Sequence, residues 1–393
     1  MQLSVIILNY NVRYFLEQCV LSVQKALENI DSEIIVVDNF SADDSCLMMK
    51  QRFPEVKLIE NKANLGFPKG NNIGVAEAKG EYICILNPDT VVAEDTFEKI
   101  ASFLAMTENV GIVGCKLIDG TGNFLPECKR GTPTPWVAFT KIFGLYKFFP
   151  KSSLFNKYYA QHLSENQTGK VDILVGAFMV MKRDLYLEVG GFDENCFMYS
   201  DDIDLSYTVL KTGKSNYYFH ETSVIHYKGE STVRDGTYMK RFREAMHFFY
   251  KKHFGGSFVF DVFMRIGAFL FAILKKKQQQ QIIHKPEQYL LFSSDESLGE
   301  KLEKQLQKKI IWSVDIDENA LFSQENLKGC PLEIVLDNWR FSFKEIIRFL
   351  EKNKNKGFTF KIIPERADFL IGSNSSNDRG EVIKLQKSDF NNS

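Results

Sequence analysis

Residues 1–39, MQLSVIILNYNVRYFLEQCVLSVQKALENIDSEIIVVDN, decide the fold. Leu3–Leu8 is a short, nearly unbroken apolar run rich in β-branched residues, the pattern of a strand covered on both faces. Tyr14–Leu27 carries apolar residues at helical spacing, and Glu33–Val37 repeats the strand pattern before stopping at Asp38-Asn39. The alternation then continues: helix over Asp43–Phe53, strand over Val56–Glu60, helix over Asn71–Ala78, and strand over Glu81–Leu86 running into Asn87-Pro88-Asp89. Apolar strands separated by helices predict an α/β fold whose mostly parallel sheet is flanked by helices on both faces. Ligands of such sheets sit beyond the carboxyl ends of the strands. Asn9-Tyr10, Asp38 and Asp89 each follow a strand directly, and that convergence is the first functional clue.

Outward from this core the pattern changes. Pro133–Leu163 is irregular, with aromatic residues and lysines interleaved. Regular structure resumes over Val171–Met181, and Tyr199-Ser200-Asp201-Asp202-Ile203-Asp204-Leu205 opens a helix reaching Thr212. Residues 240–274 read as helical, basic and aromatic, and the Lys275–Lys277 and Gln278–Gln281 run reads as a linker. Beyond it, strands fit Tyr289–Phe292, Ile310–Val314, Glu333–Leu336 and Thr359–Ile363, and helices fit Leu298–Leu306 and Phe343–Asn353. The expected organisation is a first domain over 1–255, an amphipathic helix and linker over 256–283, and a smaller α/β domain over 284–393.

Composition narrows the class. A chain of 393 residues, 44% of them hydrophobic, has material for roughly two to three packed domains. With 49 Lys and Arg against 50 Asp and Glu, net charge is −1, which argues against nucleic acid as a partner. The seven cysteines are scattered without C-x-x-C spacing, as reduced thiols of a cytosolic protein would be. The N-terminus has neither a basic flank nor a cleavage site and reads as a buried strand.

Several residues carry chemistry. Asp89, just past a strand, can hold a hard divalent cation that neutralises phosphate charge; the plain alternative is an Asx-turn. Asp38 can accept hydrogen bonds from a ribose or a base edge, or merely cap a turn. Asp201, Asp202 and Asp204 form the densest acidic cluster. Their mutual repulsion can raise one carboxylate into the range of a general base, although a helix N-terminus also favours acids. His226 precedes Lys228-Gly229-Glu230-Ser231-Thr232, so an imidazole for a metal shell stands beside groups suited to phosphate oxygens. Gly66, Gly70 and Gly74, with Asn64, Asn71 and Asn72, read as a loop that lets backbone approach a ligand closely.

In order along the chain, SVIILNYN (4–11), EIIVVDNFSADDS (33–45), NLGFPKGNNIGVAEAKGEYICILNPDT (64–90), VGAFMVMKRDLYLEVGGFDENCFMYSDDIDL (175–205) and VIHYKGEST (224–232) resemble the family 2 glycosyltransferases, particularly their bacterial rhamnosyltransferase-like branch. The resemblance covers roughly residues 1–250. It implies a GT-A fold and inverting transfer of a sugar from a nucleoside diphosphate sugar, UDP- or dTDP-linked. Carried across, Asp38 binds the nucleotide, and Asp89 is the metal-binding member of a "DXD" element that here reads Asn87-Pro88-Asp89. Asp202, or its neighbour Asp201, is the base, and His226 contacts metal or diphosphate. The implied nucleotide-sugar set is Asn9, Tyr10, Asp38, Asn64, Gly66, Phe67, Asn71, Asn87, Lys228 and Ser231. The acceptor set is Gly176 and Asp204, and the cofactor is Mg2+ or Mn2+ at Asp89 and His226. Thr208 stands where many relatives carry Arg, so Lys211 is a candidate to replace that contact.

Phe258–Leu274, FVFDVFMRIGAFLFAIL, is 17 residues long. As a helix it spans about 25 Å, short of a bilayer core. Basic residues flank it, so it reads either as a helix lying on an anionic membrane surface or as a buried joint between domains. The first reading makes the protein peripheral on the cytoplasmic face of the plasma membrane, with a lipid-linked or oligosaccharide acceptor and self-association into a homo-oligomer as further expectations. The tail stretch EIVLDNWRFSFKEIIRFLEKNKNKGFTFKIIPERADFLIGS (333–373) resembles the Rossmann-like module that precedes bacterial polyprenyl sugar-phosphate transferases. Its opening strand runs into Ser293-Ser294-Asp295-Glu296-Ser297-Leu298-Gly299 without a G-x-G-x-x-G loop, which suits docking or regulation better than a cofactor site. The expected function is thus sugar transfer in cell-surface polysaccharide assembly; the alternative is an inactive scaffold or sugar-nucleotide-binding regulator. A nucleotidyltransferase would need a Gly-rich basic loop where Asn9-Tyr10-Asn11 stands.

Overall fold

The computed structural model describes residues 1–134, 136–137, 140, 148, 157–196, 200–227, 236–255, 286–315, 331–374 and 380–385. The chain runs β1 (Leu3–Asn9), α1 (Arg13–Ala26), β2 (Ser32–Asp38), α2 (Ser45–Arg52), β3 (Lys57–Glu60), α3 (Gly66–Ala76), β4 (Tyr82–Leu86), β5 (Thr90–Val91), α4 (Thr96–Met106) and β6 (Val110–Ile118). It continues through β7 (Lys129–Arg130), β8 (Gly169–Val171), β9 (Ile173–Leu174), β10 (Phe178–Lys182), α5 (Arg183–Glu188), α6 (Asp201–Lys211), β11 (Ser215–His226) and α7 (Gly236–Phe254). The first sheet has the order β3-β2-β1-β4-β10-β6-β11-β5, with β8 paired to β11. β3, β2, β1 and β4 are parallel, as are β6 and β11, while β10 enters between the groups antiparallel to both neighbours. Every residue of β1 is buried, as its unbroken apolar pattern requires.

Helix α3 lies directly on this sheet. A Cβ at Gly70 would stand 2.4 Å from Leu8 Cδ1, and one at Gly74 2.5 Å from Ile6 Cγ2. The expectation of a ligand-approach loop over Gly66, Gly70 and Gly74 is therefore corrected. Gly70 and Gly74 serve the close packing of helix on strand, and only Gly66, with φ 81°, opens the turn.

The second sheet comprises β12 (Gln288–Phe292), β13 (Ile310–Ser313), β14 (Leu332–Asp337), β15 (Phe358–Ile363), β16 (Phe369–Gly372) and β17 (Glu381–Lys384), with α8 (Glu296–Leu306) and α9 (Phe343–Asn353) packed on it. Its order is β13-β12-β14-β15-β16-β17. The first four strands are parallel and the last two antiparallel. β16 and β17 were not anticipated from sequence; both are only four residues long, too short to display a period. The region assigned to a membrane-surface helix, 258–274, lies outside the described residues, as does the linker after it. No described helix is long and apolar enough to cross a membrane.

The two sheets share an apolar cluster. Phe15, Val91, Ile118, Ile225 and Tyr227 from the first pack with Phe292, Phe341, Phe343, Ile346 and Leu350 from the second. Polar contacts seal the joint. Glu94 accepts from the backbone N–H of Phe343 at 2.7 Å and of Lys344 at 2.8 Å, so one carboxylate caps the first turn of α9 from across the interface. Lys344 Nζ lies 2.6 Å from Asp95, Lys25 Nζ 2.7 Å from Glu365, and Lys116 Nζ 3.0 Å from Glu351. A carboxylate on two orphan amides at a helix N-terminus satisfies donors and opposes the helix dipole. Glu94→Ala is expected to lower stability by about 1–2 kcal/mol, seen as a fall in the urea midpoint; an unchanged midpoint would mean that the cap contributes nothing.

Candidate active site

The sequence-derived residues collect at the carboxyl edge of the first sheet in three groups. At the ends of β1 and β2, Asn9 Nδ2 donates to Asp38 Oδ1 at 2.7 Å and to Ser41 Oγ at 3.0 Å, and Ser41 N donates to Asp38 Oδ2 at 2.8 Å. Asp38 is buried, and the Cys46 thiol also hydrogen-bonds its carboxylate. Tyr10, which follows Asn9 in the chain, is 45% exposed. The turn into α3 is tied to β2 by Asn39, whose Nδ2 donates to Asn64 Oδ1 and whose Oδ1 accepts from Leu65 N. Asn39 was missed in the sequence because an Asx after a strand is ordinary turn vocabulary. Asn71 donates to Phe67 O, while the Oδ1 atoms of Asn71 and Asn9 are buried without a hydrogen-bond partner.

The second group lies where β4 passes into β5. Asn87 N donates to Ala177 O at 3.0 Å, and Asn87 O accepts from Thr90 Oγ1 at 2.7 Å. β5 pairs antiparallel with the end of β11, Thr90 opposite His226 and Val91 opposite Ile225. That register sets His226 Nε2 3.4 Å from Asp89 Oδ1, and Tyr227 N donates to Asp89 O at 3.0 Å. Asp89 is only 3% exposed, yet neither carboxylate oxygen accepts a hydrogen bond. Buried carboxylates are ordinarily paired or bound to a cation. Cys19 packs beneath, and burial pushes its thiol up to about 12, so it stays protonated at neutral pH. Among the described residues no three His, Cys, Asp or Glu side chains cluster as a complete metal shell.

The third group surrounds the first turn of α6. Arg130 Nη2 lies 2.6 Å from Asp202 Oδ2, and Gly176 N donates to the same oxygen at 3.3 Å. A Cβ at Gly176 would stand 3.4 Å from the Phe67 ring and 3.5 Å from Asp202 Cβ, so α3, the entry to β10 and α6 meet here. Burial alone would lower the Arg130 guanidinium; the Asp202 carboxylate outweighs it, and the pKa ends raised. Arg130 was missed because it sits 72 residues from its partner with no local signal.

The acidic cluster does not act as one repelling group, a correction to the sequence reading. Asp202 is matched by Arg130. Asp204 accepts instead from Lys252 at 2.8 Å and stands 2.6 Å from His253 Nε2, both on α7. Helical rotation sends the two carboxylates to different partners. Asp204, 2% exposed, thus ties α6 to α7. Lys211 lies against His253. Lys228 and Ser231 lie outside the described residues.

Residues 4–190 match the family model described as Glycosyl transferase family 2. That region is similar to the family 2 glycosyltransferases. It is 27% identical over 244 residues to an N-acetylglucosaminyl-diphospho-decaprenol L-rhamnosyltransferase of Mycobacterium tuberculosis, spanning 59% of this chain and 78% of that protein. It is likewise 27% identical over 223 residues to the rhamnosyltransferase WbbL of Escherichia coli, spanning 52% of this chain and 78% of the relative. A mannosyltransferase of Pyrobaculum calidifontis, solved with GDP-Man and Mn2+, overlays with a TM-score of 0.47 at 16% identity, covering 71% of this chain and 76% of that one. The first sheet is mostly parallel with helices packed on it, the α/β architecture that the sequence pattern predicted. The family model ends before Asp202 and His226.

Breaking a buried ion pair from one side strands the other charge. Arg130→Ala in this domain is expected to cost about 3 kcal/mol, measured by urea unfolding, whereas a change near zero would show that Asp202 is well solvated without it.

Proposed function

We propose that this protein is an inverting glycosyltransferase that moves a sugar from a UDP- or dTDP-linked donor to a hydroxyl of a lipid-linked glycan in cell-surface polysaccharide assembly. The observation that carries this reading is the linkage between the two halves of the chemistry. Asn87 N bonds Ala177 O, and the adjoining Gly176 N bonds Asp202, so the Asn87-Pro88-Asp89 element and the candidate base share one short backbone segment. The relative from Mycobacterium tuberculosis, named for a decaprenol-linked acceptor, supports a lipid-linked acceptor here.

The donor would lie along the strand ends, its nucleoside against Tyr10, Asp38 and the Asn64–Phe67 turn. Asp89 and His226 would hold Mg2+ or Mn2+; an orphaned, buried carboxylate beside an imidazole nitrogen suits such an ion, and the remaining ligands would come from diphosphate and water. When bound, the cation neutralises the charge of the departing nucleoside diphosphate. Asp202 takes the proton from the acceptor hydroxyl, and Arg130 and the Gly176 N–H orient it through Oδ2, leaving Oδ1 for the proton. The hydroxyl oxygen attacks the anomeric carbon opposite the leaving diphosphate, which inverts that centre. No general acid is needed, because the leaving group is a stabilised phosphate. The protein would work on the cytoplasmic face of the membrane, where nucleotide sugars and lipid-linked intermediates meet.

The test is nucleoside diphosphate release from UDP-, dTDP- and GDP-sugars, with polyprenyl diphosphate-linked acceptors supplied, under Mg2+, Mn2+ or chelator. Release from one donor is expected to require metal and to fall about 100-fold or more in Asp202→Asn, with Asp89→Ala losing metal dependence together with turnover. A donor that binds without any diphosphate release would favour the sugar-nucleotide-binding regulator instead.

A further inference from the structure

The second sheet has a ligand-sized cleft of its own. β12 lies between β13 and β14, so the chain leaves β12 toward one neighbour and leaves β14 away from it. The helices that follow pack on opposite faces: Leu302 of α8 joins Leu291 and Val335, while Ile346 of α9 joins Leu290 and Ile334. Such a divergence opens a crevice at the carboxyl ends of the strands. A cleft of about 630 Å3 opens there, within the range of small-molecule sites.

Its walls have a coherent chemistry. Trp339, two residues past β14, is 59% exposed and lines the cleft. The Arg366 guanidinium stands over that ring, 5.6 Å from its centroid, with its Nε 3.7 Å from the Glu365 carboxylate. Arg366 is held at φ 57°, a conformation non-glycine residues seldom adopt and one that often marks a functional position. Lys301 of α8 supplies a second cation. Asp337, 5% exposed at the end of β14, accepts from Ser293 Oγ at 2.6 Å and from Trp339 N at 2.9 Å, and each oxygen keeps a lone pair for a sugar hydroxyl. An aromatic platform, a hydroxyl acceptor and two cations match base, ribose and phosphate. Asp295 and Asp368 also border the cleft and oppose a heavily charged phosphate chain.

We propose that this cleft binds a nucleoside monophosphate, at a site separate from the donor site of the first sheet. The test uses the full chain in chelator, titrated calorimetrically with AMP, GMP, UMP and CMP while tryptophan fluorescence is followed. One of them is expected to bind at one per chain and quench the fluorescence. Trp339→Ala and Arg366→Ala are each expected to weaken binding at least tenfold, Trp339→Phe less, and Asp89→Asn not at all. Loss of binding in Asp89→Asn with retention in Trp339→Ala would place the nucleotide in the donor site and overturn the proposal. Failure of all four nucleotides to bind would overturn it as well. The folded state of each variant is checked by its urea midpoint, since Trp339 and Arg366 are both exposed.

Discussion

Two backbone pairings, Ile225 with Val91 and His226 with Thr90, hold Asp89 beside His226. A strand of two residues cannot keep its place on hydrogen bonds alone, because the entropy of ordering it exceeds what they contribute. What holds it is burial. Val91, Ile225 and Tyr227 lie in the apolar cluster formed with the second sheet, and the Phe15 ring meets the Tyr227 ring at 5.2 Å. The candidate-site edge of the first sheet is therefore supported from behind by the second.

The polar side of the site follows the same economy of means. Three acids in four positions look like one electrostatic device, yet α6 distributes them. Asp202 turns toward Arg130 and Gly176, and Asp204 toward Lys252 and His253. One serves the proposed chemistry while the other anchors α7 against the domain. Asp89 differs from both, since neither of its oxygens accepts a hydrogen bond and only His226 Nε2 stands near, at 3.4 Å. Paired acids and an orphaned acid within one site are the mark of a place where the protein leaves a charge for something else to meet.

Much of this was legible in the sequence because it is local. The period of Leu3–Leu8, the stop at Asp38 and the Asn87-Pro88-Asp89 turn each report their own neighbourhood, and the elements read over residues 3–60 and 289–363 fall within a few residues of where the pattern put them, whereas α3 begins five residues before its reading and α4, β6 and β11 were not read at all. Phe343–Asn353 was read to the residue, and the structure adds the Ser342 and Glu345 capping box that starts it. What could not be read is long-range. Arg130 finds Asp202 only after β7 has paired with β9. Gly70 and Gly74 look like ligand-loop glycines until α3 is seen lying on Leu8 and Ile6. The docking face was hidden for the same reason: Phe15 and Val91 are apolar whichever neighbour covers them.

The joint between the sheets also bears on how the protein can be divided. Gly122, at φ 80°, would place a Cβ 2.2 Å from Leu350 O, so backbone meets backbone there without room for a side chain. A chain ended after Phe254 would keep every residue assigned to sugar transfer among those described, yet it would present Val91, Ala93, Ile118, Ile225 and Tyr227 to water as one continuous patch. Such a fragment would be sticky and prone to self-association. The boundary drawn by composition is thus a covalent seam and not a mechanical one, and the tail is better regarded as the back wall of the first domain than as a passenger on it.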